Sequence, residues 1–293
     1  MTDITPVRRY TDGHPLDDIH YREYKILLAA DLFYEPERFE EYWNISVDIG
    51  RELGVKTTLN PDPFKRQVRR VLFYDTPNFD LYRNAFILRK RTFYDDGWPR
   101  REHELAVKFR HPDRDTAAEV NIHPHIPGDK KVKFKEELLP LKEKLGGMRS
   151  LFSHNCILTT ENYEIQEGLQ DVERHLPSLR RIPMPEDTKI SLVNSMAVEE
   201  IEVVPGYYDF GHGYTAKASV AIWRNRASEE SLVGEFAFQA KFKREDELHS
   251  KALALSEQFF KQLQTTAPEW VQLGTTKTAL VYGLHTETPV GHD

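Results

Sequence analysis

The sequence predicts an α+β protein built on antiparallel β-sheet, with helices packed against it. Three observations carry that expectation. Strand-length segments alternate charged and apolar side chains, as in HELAVKFR (His103 to Arg110) and LVGEFAFQAKFK (Leu232 to Lys243). Period-two alternation marks a strand with two different faces. Asp95-Asp96-Gly97 supplies a hairpin turn between two such segments. Two other stretches, Glu35 to Leu53 and Asp246 to Gln264, repeat their apolar residues at helical spacing instead.

In chain order, residues 1–19 are polar and turn-rich and read as a loosely attached arm, followed by one domain over 20–293. The first strand is Tyr21 to Leu28, with Tyr21, Glu23 and Lys25 on one face and Tyr24, Ile26 and Leu28 on the other. The helix Glu35 to Leu53 opens with acidic residues, carries Phe39, Trp43 and Val47 as a stripe, and stops at Gly54. After the loop Asn60-Pro61-Asp62-Pro63, a second strand covers Gln67 to Asp75 and a third Phe86 to Phe93. Residues 112–195 change character: a basic amphipathic run, Lys130 to Leu145, is interrupted at Pro140, and Glu161 to Leu176 reads as a helix. That region is expected to be a helical insertion covering one side of the domain. Strands resume at Ala197 to Val204, Tyr214 to Trp223 and Leu232 to Lys243, before the second long helix and a closing segment, Leu273 to Leu284.

Composition narrows the function. The net charge of −7 argues against a nucleic-acid coat or an anionic membrane as partner, so any anion site is local. The single cysteine, Cys156, excludes an internal disulfide framework and fits a reducing, cytoplasmic setting. It enters an apolar run, where a small buried hydrophobe is its expected role. No stretch reaches the length of a membrane span. His123 and His125 lie close together, but in a proline-containing loop with no third ligand at a recognisable spacing, which argues against a metal there.

The run Val71 to Phe93 organises the rest. Arg89 and Arg91 share a face about 7 Å apart, a pair suited to a multivalent anion or to carboxylates between them; a solvated basic edge strand has the same pattern. Glu23 and Lys25 read equally as a same-face ion pair of little energetic value. Taken together, the charged faces offer Lys25, Arg89, Arg91, Lys108, Arg110 and Lys241 beside Glu23, Glu200, Glu202 and Glu235. Alternation alone fits a one-sided solvated sheet. Closing the sheet would gather these charges into one cavity.

Tyr74-Asp75-Thr76-Pro77, Leu81-Tyr82-Arg83 and Leu88-Arg89-Lys90-Arg91 resemble the YFDTP…L…LRxR signature of the CYTH superfamily, the triphosphate tunnel metalloenzymes. The likeness is spread over about residues 20–110 and 197–284. It implies an antiparallel β-barrel enclosing a tunnel, and a metal-dependent phosphohydrolase acting on tripolyphosphate or on an organic or nucleoside triphosphate. Of the family's first-strand ExExK motif, Glu23 and Lys25 are present while Tyr21 replaces the first glutamate. The resemblance implies catalytic roles for Glu23 and Lys25, and phosphate binding by Lys25, Arg89, Arg91, Lys108, Arg110, Lys241 and Lys277, the last in the closing segment. It implies Mg²⁺ or Mn²⁺ on Glu23 and Glu235, while Glu200 and Glu202, standing where relatives tend to carry a basic residue, are the candidates to rebuild the metal site from another wall. Where relatives carry a second late-strand carboxylate, this chain has Ala237 and Gln239. A weakened relative that binds polyphosphate or a phosphorylated ligand as sensor or scaffold therefore stands beside the enzyme. A third reading is an unrelated β-rich interaction domain. Hydrolysis versus cyclisation, the organic group and the oligomeric state are left open.

Overall fold

Nine strands close into a barrel in which all neighbouring strands but one pair run antiparallel. The computed structural model describes residues 8–161, 163–165 and 168–284; residues 1–7 of the expected arm lie outside them. The strands are β1 (Tyr21–Leu28), β2 (Lys56–Leu59), β3 (Gln67–Asp75), β4 (Phe86–Asp95), β5 (Trp98–His111), β6 (Asp129–Leu139), β7 (Arg149–Thr160), β8 (Ser191–Val203), β9 (Gly206–Asp209), β10 (Thr215–Asn225) and β11 (Ser231–Lys241). Around them lie α1 (Arg38–Glu52), α2 (Asp80–Arg83), α3 (Arg114–Ala118), α4 (Leu169–His175), α5 (Ser250–Thr266) and α6 (Lys277–Tyr282). The order around the barrel is β11-β1-β6-β7-β5-β4-β3-β8-β10, and pairing of β10 with β11 closes it. Closure satisfies both edges of these strands. The short strands β9 and β2 continue outward from β10.

The helical insertion expected over 112–195 is corrected. That region holds the short helices α3 and α4, but it also contributes two barrel strands, β6 and β7, between β1 and β5. In VKFKEELL the apolar residues Val132, Phe134 and Leu138 alternate with Lys133, Lys135 and Glu137, a period of two that ends before Pro140. The expected helix Glu161 to Leu176 shrinks to α4 among the described residues. β6 pairs with β1 in parallel, Glu23 opposite Glu137, so the barrel is mixed. β2 was also absent from the sequence reading; all four of its residues are exposed, leaving no apolar alternation to detect.

The predicted long helices pack outside the barrel as the spacing requires. Phe39, Tyr42 and Trp43 of α1 and Phe259 and Phe260 of α5 share one core with Tyr24, Phe236 and Phe238 from the outward faces of β1 and β11. Tyr24 stacks on Phe238 with centroids 4.5 Å apart, and its hydroxyl bonds Ser256 of α5 at 2.9 Å. Gly234 is required where β11 passes under this layer: a Cβ there would stand 2.5 Å from Phe33 and 2.9 Å from the Leu28 Cβ. The β4–β5 connection has positive φ at both Asp96 and Gly97, as a tight hairpin turn demands.

Residues 8–19 are held more firmly than a loose arm. Arg8 pairs with Asp115 and Glu119 of the α3 region. The Asp17 carboxylate accepts bonds from the Tyr10 hydroxyl at 3.0 Å and bonds His123 and the buried His154 at 2.9 and 3.1 Å. His123 is thus engaged by the arm. Cys156 is buried on β7, where burial pushes its thiol up to about 12. No described helix is long and apolar enough to cross a membrane.

Candidate active site: a charge-lined tunnel

Because side chains alternate across each strand, closing the barrel sends one row from every strand inward. The inward rows begin apolar beneath α6. Val71 and Phe73 of β3, Ile87 of β4, Trp223 of β10 and Val233 of β11 form one cluster with Val281 and Tyr282. Further along the same strands the rows become charged, around a cavity of about 360 Å³. Twelve lysines and arginines but only four glutamates line it, a local excess of cation inside a protein of net charge −7. Low-dielectric walls strengthen such a field.

The signature residues that flank the cavity have a structural job. Asp75, buried at the end of β3, accepts backbone N–H groups of Thr76, Leu81 and Tyr82 at 2.7, 2.9 and 2.9 Å and the Tyr282 hydroxyl at 2.9 Å. It therefore ties β3 and α2 to α6, the helix that begins with Lys277. Burial raises the Asp75 carboxyl to about 6 against these hydrogen bonds.

Ten of the eleven residues singled out from the sequence line this single cavity: Glu23 and Lys25 from β1, Arg89 and Arg91 from β4, Lys108 and Arg110 from β5, Glu200 and Glu202 from β8, Glu235 from β11, and Lys277. Lys241 does not. It is exposed at the end of β11, its ammonium 5.9 Å from the Tyr21 ring centroid, because the inward row of β11 ends with Gln239. Sequence reasoning missed Arg69, Lys133, Lys135, Lys217 and, covered by the lining cations, Glu137.

The charges fall into two groups. On the first wall, Lys25 bridges Glu23 at 2.9 Å and Glu137 at 3.1 Å. Lys108 and Arg110 meet the same Glu137 at 2.7 and 3.4 Å, and Lys135 meets Glu23 at 3.0 Å. On the second wall, Arg69 pairs with Glu200 at 3.1 Å and with Glu202, while Arg91 stands 3.7 Å from Glu104 and 4.0 Å from Glu200. Lys277 meets Glu235 at 2.7 Å and Glu200 at 3.8 Å, over the Trp223 ring, whose N–H donates to Glu200. Burial pushes the Glu23, Glu137 and Glu200 carboxyls up, yet the surrounding cations outweigh it and hold all three well below the usual range.

Arg89 differs from its neighbours. Among the described residues no carboxylate lies within ion-pair distance of it, whereas Arg69, Arg91 and Arg110 each have one; its buried Nε, like theirs, has no hydrogen-bond partner. Burial, reinforced by Arg91, pushes its guanidinium down to about 9. Lys133 also lacks a carboxylate partner among the described residues, and burial with Lys135 and Lys131 alongside lowers it to about 8. An anion entering the cavity would relieve both costs.

The architecture is a closed β-barrel whose inward faces carry convergent arginines, lysines and glutamates. No protein-family model and no curated protein matches the chain in sequence. Among solved structures it is similar to a candidate adenylyl cyclase from Hippeastrum described as having a dominant triphosphatase activity, at 12% identity and TM-score 0.43, covering 94% of this chain and 100% of that one. A candidate adenylate cyclase from Bacillus halodurans aligns at 10% identity and TM-score 0.39 over 89% and 95% of the two chains. A Pyrococcus horikoshii protein aligns at 13% identity and TM-score 0.33 over 89% and 99%. At these scores the likenesses assign neither a residue nor a family.

The tunnel glutamates do not fit a resident metal as they stand. Among the described residues no three acidic, histidine or cysteine side chains converge on a common point. Glu200 and Glu235 converge on the Lys277 ammonium, Glu202 on Arg69, and Glu23 on Lys25 and Lys135. A hard divalent cation wants several oxygen ligands at once, whereas each of these carboxylates already serves a protein cation.

Proposed function

We propose that the tunnel binds a linear tri- or polyphosphate: inorganic tripolyphosphate, or the phosphate tail of an organic triphosphate. The observation that carries this reading is Arg89, a cavity-facing guanidinium without a carboxylate, beside Arg91, Lys108, Arg110 and Lys133. Guanidinium forks match phosphate oxygens in bidentate fashion, and lysine ammonium groups add point charges along the chain.

Hydrolysis of the terminal phosphoanhydride is the second reading, favoured by Glu200, a buried carboxylate held between Arg69, Arg91 and Lys277 beside this same cation cluster. Here Mg²⁺ or Mn²⁺ belongs to the substrate, arriving on the phosphates. Arg89 and Lys25 would hold the negative oxygens and orient the anhydride, and displacement of lysine from a glutamate would free that carboxylate to face the reacting end. Catalysis would then be positioning and charge stabilisation, with no covalent nucleophile.

Titration calorimetry at fixed ionic strength tests the binding reading: tripolyphosphate is expected to bind at least about tenfold more tightly than sulfate. Equal, weak binding of both anions would overturn it. Phosphate release from tripolyphosphate, scored with Mg²⁺, with Mn²⁺ and with chelator, separates the second reading from binding alone.

A further inference from the structure

We propose that Glu137 is the positioning residue of this tunnel, a carboxylate that gathers Lys25, Lys108 and Arg110 into one phosphate-binding face. The inference rests on the phosphate-binding reading and deepens it. Removing this negative charge from the anion site weakens anion binding.

Glu137 projects inward from β6 and is 1% exposed. Lys108 and Arg110 come from β5, across the intervening strand β7, and Lys25 comes from β1 on the opposite side. All three meet Glu137, at 2.7, 3.4 and 3.1 Å. Two strands that do not touch each other are thus brought to one point by a carboxylate on a third.

A carboxylate in a phosphate site can also act as a competitor that occupies the cations. Here its stoichiometry and burial argue otherwise. One carboxylate cannot neutralise three cations; each ammonium keeps further N–H donors and the guanidinium has five in all. Glu137 is not among the residues lining the cavity, whereas all three of its partners are. It lies behind the cations and supports them from the protein side.

Charge strengthens the case. Lys108 is buried with Arg110 and Lys25 close by; burial and then Arg110 press its ammonium well below its ordinary range, and Glu137 opposes them. Among the described residues, Glu137 is the carboxylate within ion-pair distance of Lys108. Without it, Lys108 would lose its proton more readily and turn from phosphate ligand into a neutral amine.

The test compares the full-length protein with Glu137→Gln and Glu137→Asp. Tripolyphosphate binding is measured by calorimetry at about pH 6 and about pH 8, and Lys108 is titrated without ligand by NMR of ¹³C-labelled lysine. Glu137→Gln is expected to weaken binding about tenfold or more at the higher pH and less at the lower, with Lys108 titrating at lower pH. Glu137→Asp, which keeps the charge, is expected to recover part of the affinity and part of the Lys108 shift. Circular dichroism checks folding. If Glu137→Gln does not fold, Glu137→Asp decides: a several-fold loss of affinity with a lowered Lys108 titration supports the inference, and wild-type values for both overturn it. Equal or tighter binding by Glu137→Gln at both pH values, with Lys108 unmoved, would overturn it as well. Failure of the wild type to bind tripolyphosphate would sink the phosphate reading, while the ligand-free Lys108 titration would still decide the role of Glu137.

Discussion

The two walls of the tunnel use the same residue types to opposite ends. Along β1, β5 and β6, Lys25, Lys108, Arg110 and Lys135 meet two carboxylates, Glu23 and Glu137. Along β3, β4, β8 and α6, Arg69, Arg91 and Lys277 meet four, Glu104, Glu200, Glu202 and Glu235. The first wall therefore has cation to spare and the second does not. A buried cation matched by carboxylates contributes to holding the barrel together. A buried cation in excess is a cost to the empty protein, and a ligand recovers it. Arg89 is on the second wall's strand β4 but belongs with the excess, because its guanidinium has no carboxylate within ion-pair distance among the described residues.

Removing a cation should therefore have a different consequence on each side. The largest effect is expected from Arg69→Met, which leaves Glu200, 3% exposed, short of its nearest cation. Breaking such a buried pair costs about 3–5 kcal/mol, read as a drop in stability by denaturant unfolding, with a smaller change in tripolyphosphate affinity than Arg89→Met produces. A variant with normal stability would erase the distinction between the walls.

Arg89→Met comes next, with the opposite signature. Loss of its charge-assisted bonds to phosphate is expected to cost about 2–3 kcal/mol of binding, while stability holds or rises because an unpaired buried guanidinium has gone. Calorimetry and unfolding on one preparation check both halves.

A smaller effect should appear in the pH profile. The Lys133 ammonium is lowered to about 8, so its charge is fully present below that pH and is lost as pH rises through it. Tripolyphosphate affinity is expected to fall across that window. Lys133→Met should flatten the step at a cost of about 1 kcal/mol at neutral pH, and an unaltered profile would remove Lys133 from the binding face.

The smallest effect lies outside the tunnel and serves as its control. Burial pushes the Asp17 carboxyl up, but hydrogen bonds with His123 and His154 outweigh it and hold it below 3.8, so its stabilisation is present above that pH and lost as pH falls. The hydrogen bond to Asp17 raises His123 above 6.5, so its contribution is full below 6.5 and lost as pH rises through the raised value. Limited proteolysis of residues 8–19 should be slowest between about pH 4 and about pH 6.5, without a parallel change in tripolyphosphate affinity.

How much of this was legible depends on how local the information is. Arg89 and Arg91 are neighbours on one strand face, so alternation alone paired them. Lys133 and Lys135 carry the same local signal in VKFKEELL, but the basic run from Lys130 to Leu145 around them reads as part of a helical insertion. Arg69 gave no such signal. It shares its face with Val71 and Phe73, both fully buried, and a face that is apolar at one end and charged at the other becomes intelligible only once α6 is seen to cover the apolar end. Glu136 and Glu137 are chemically identical in the sequence; strand register alone sends Glu136 outward to Arg22 and Glu137 inward to three cations.

The sequence by itself determined seven of the nine barrel strands, the two packing helices, and which of those strand faces would be charged, because those follow from periods of two and of 3.6 along the chain. Tertiary structure decided which charges meet. Ion pairing is set by distances across strands far apart in sequence, such as the 112 residues between Lys25 and Glu137. Only closure of the barrel fixed those distances, and with them which cations are matched and which are left for a ligand.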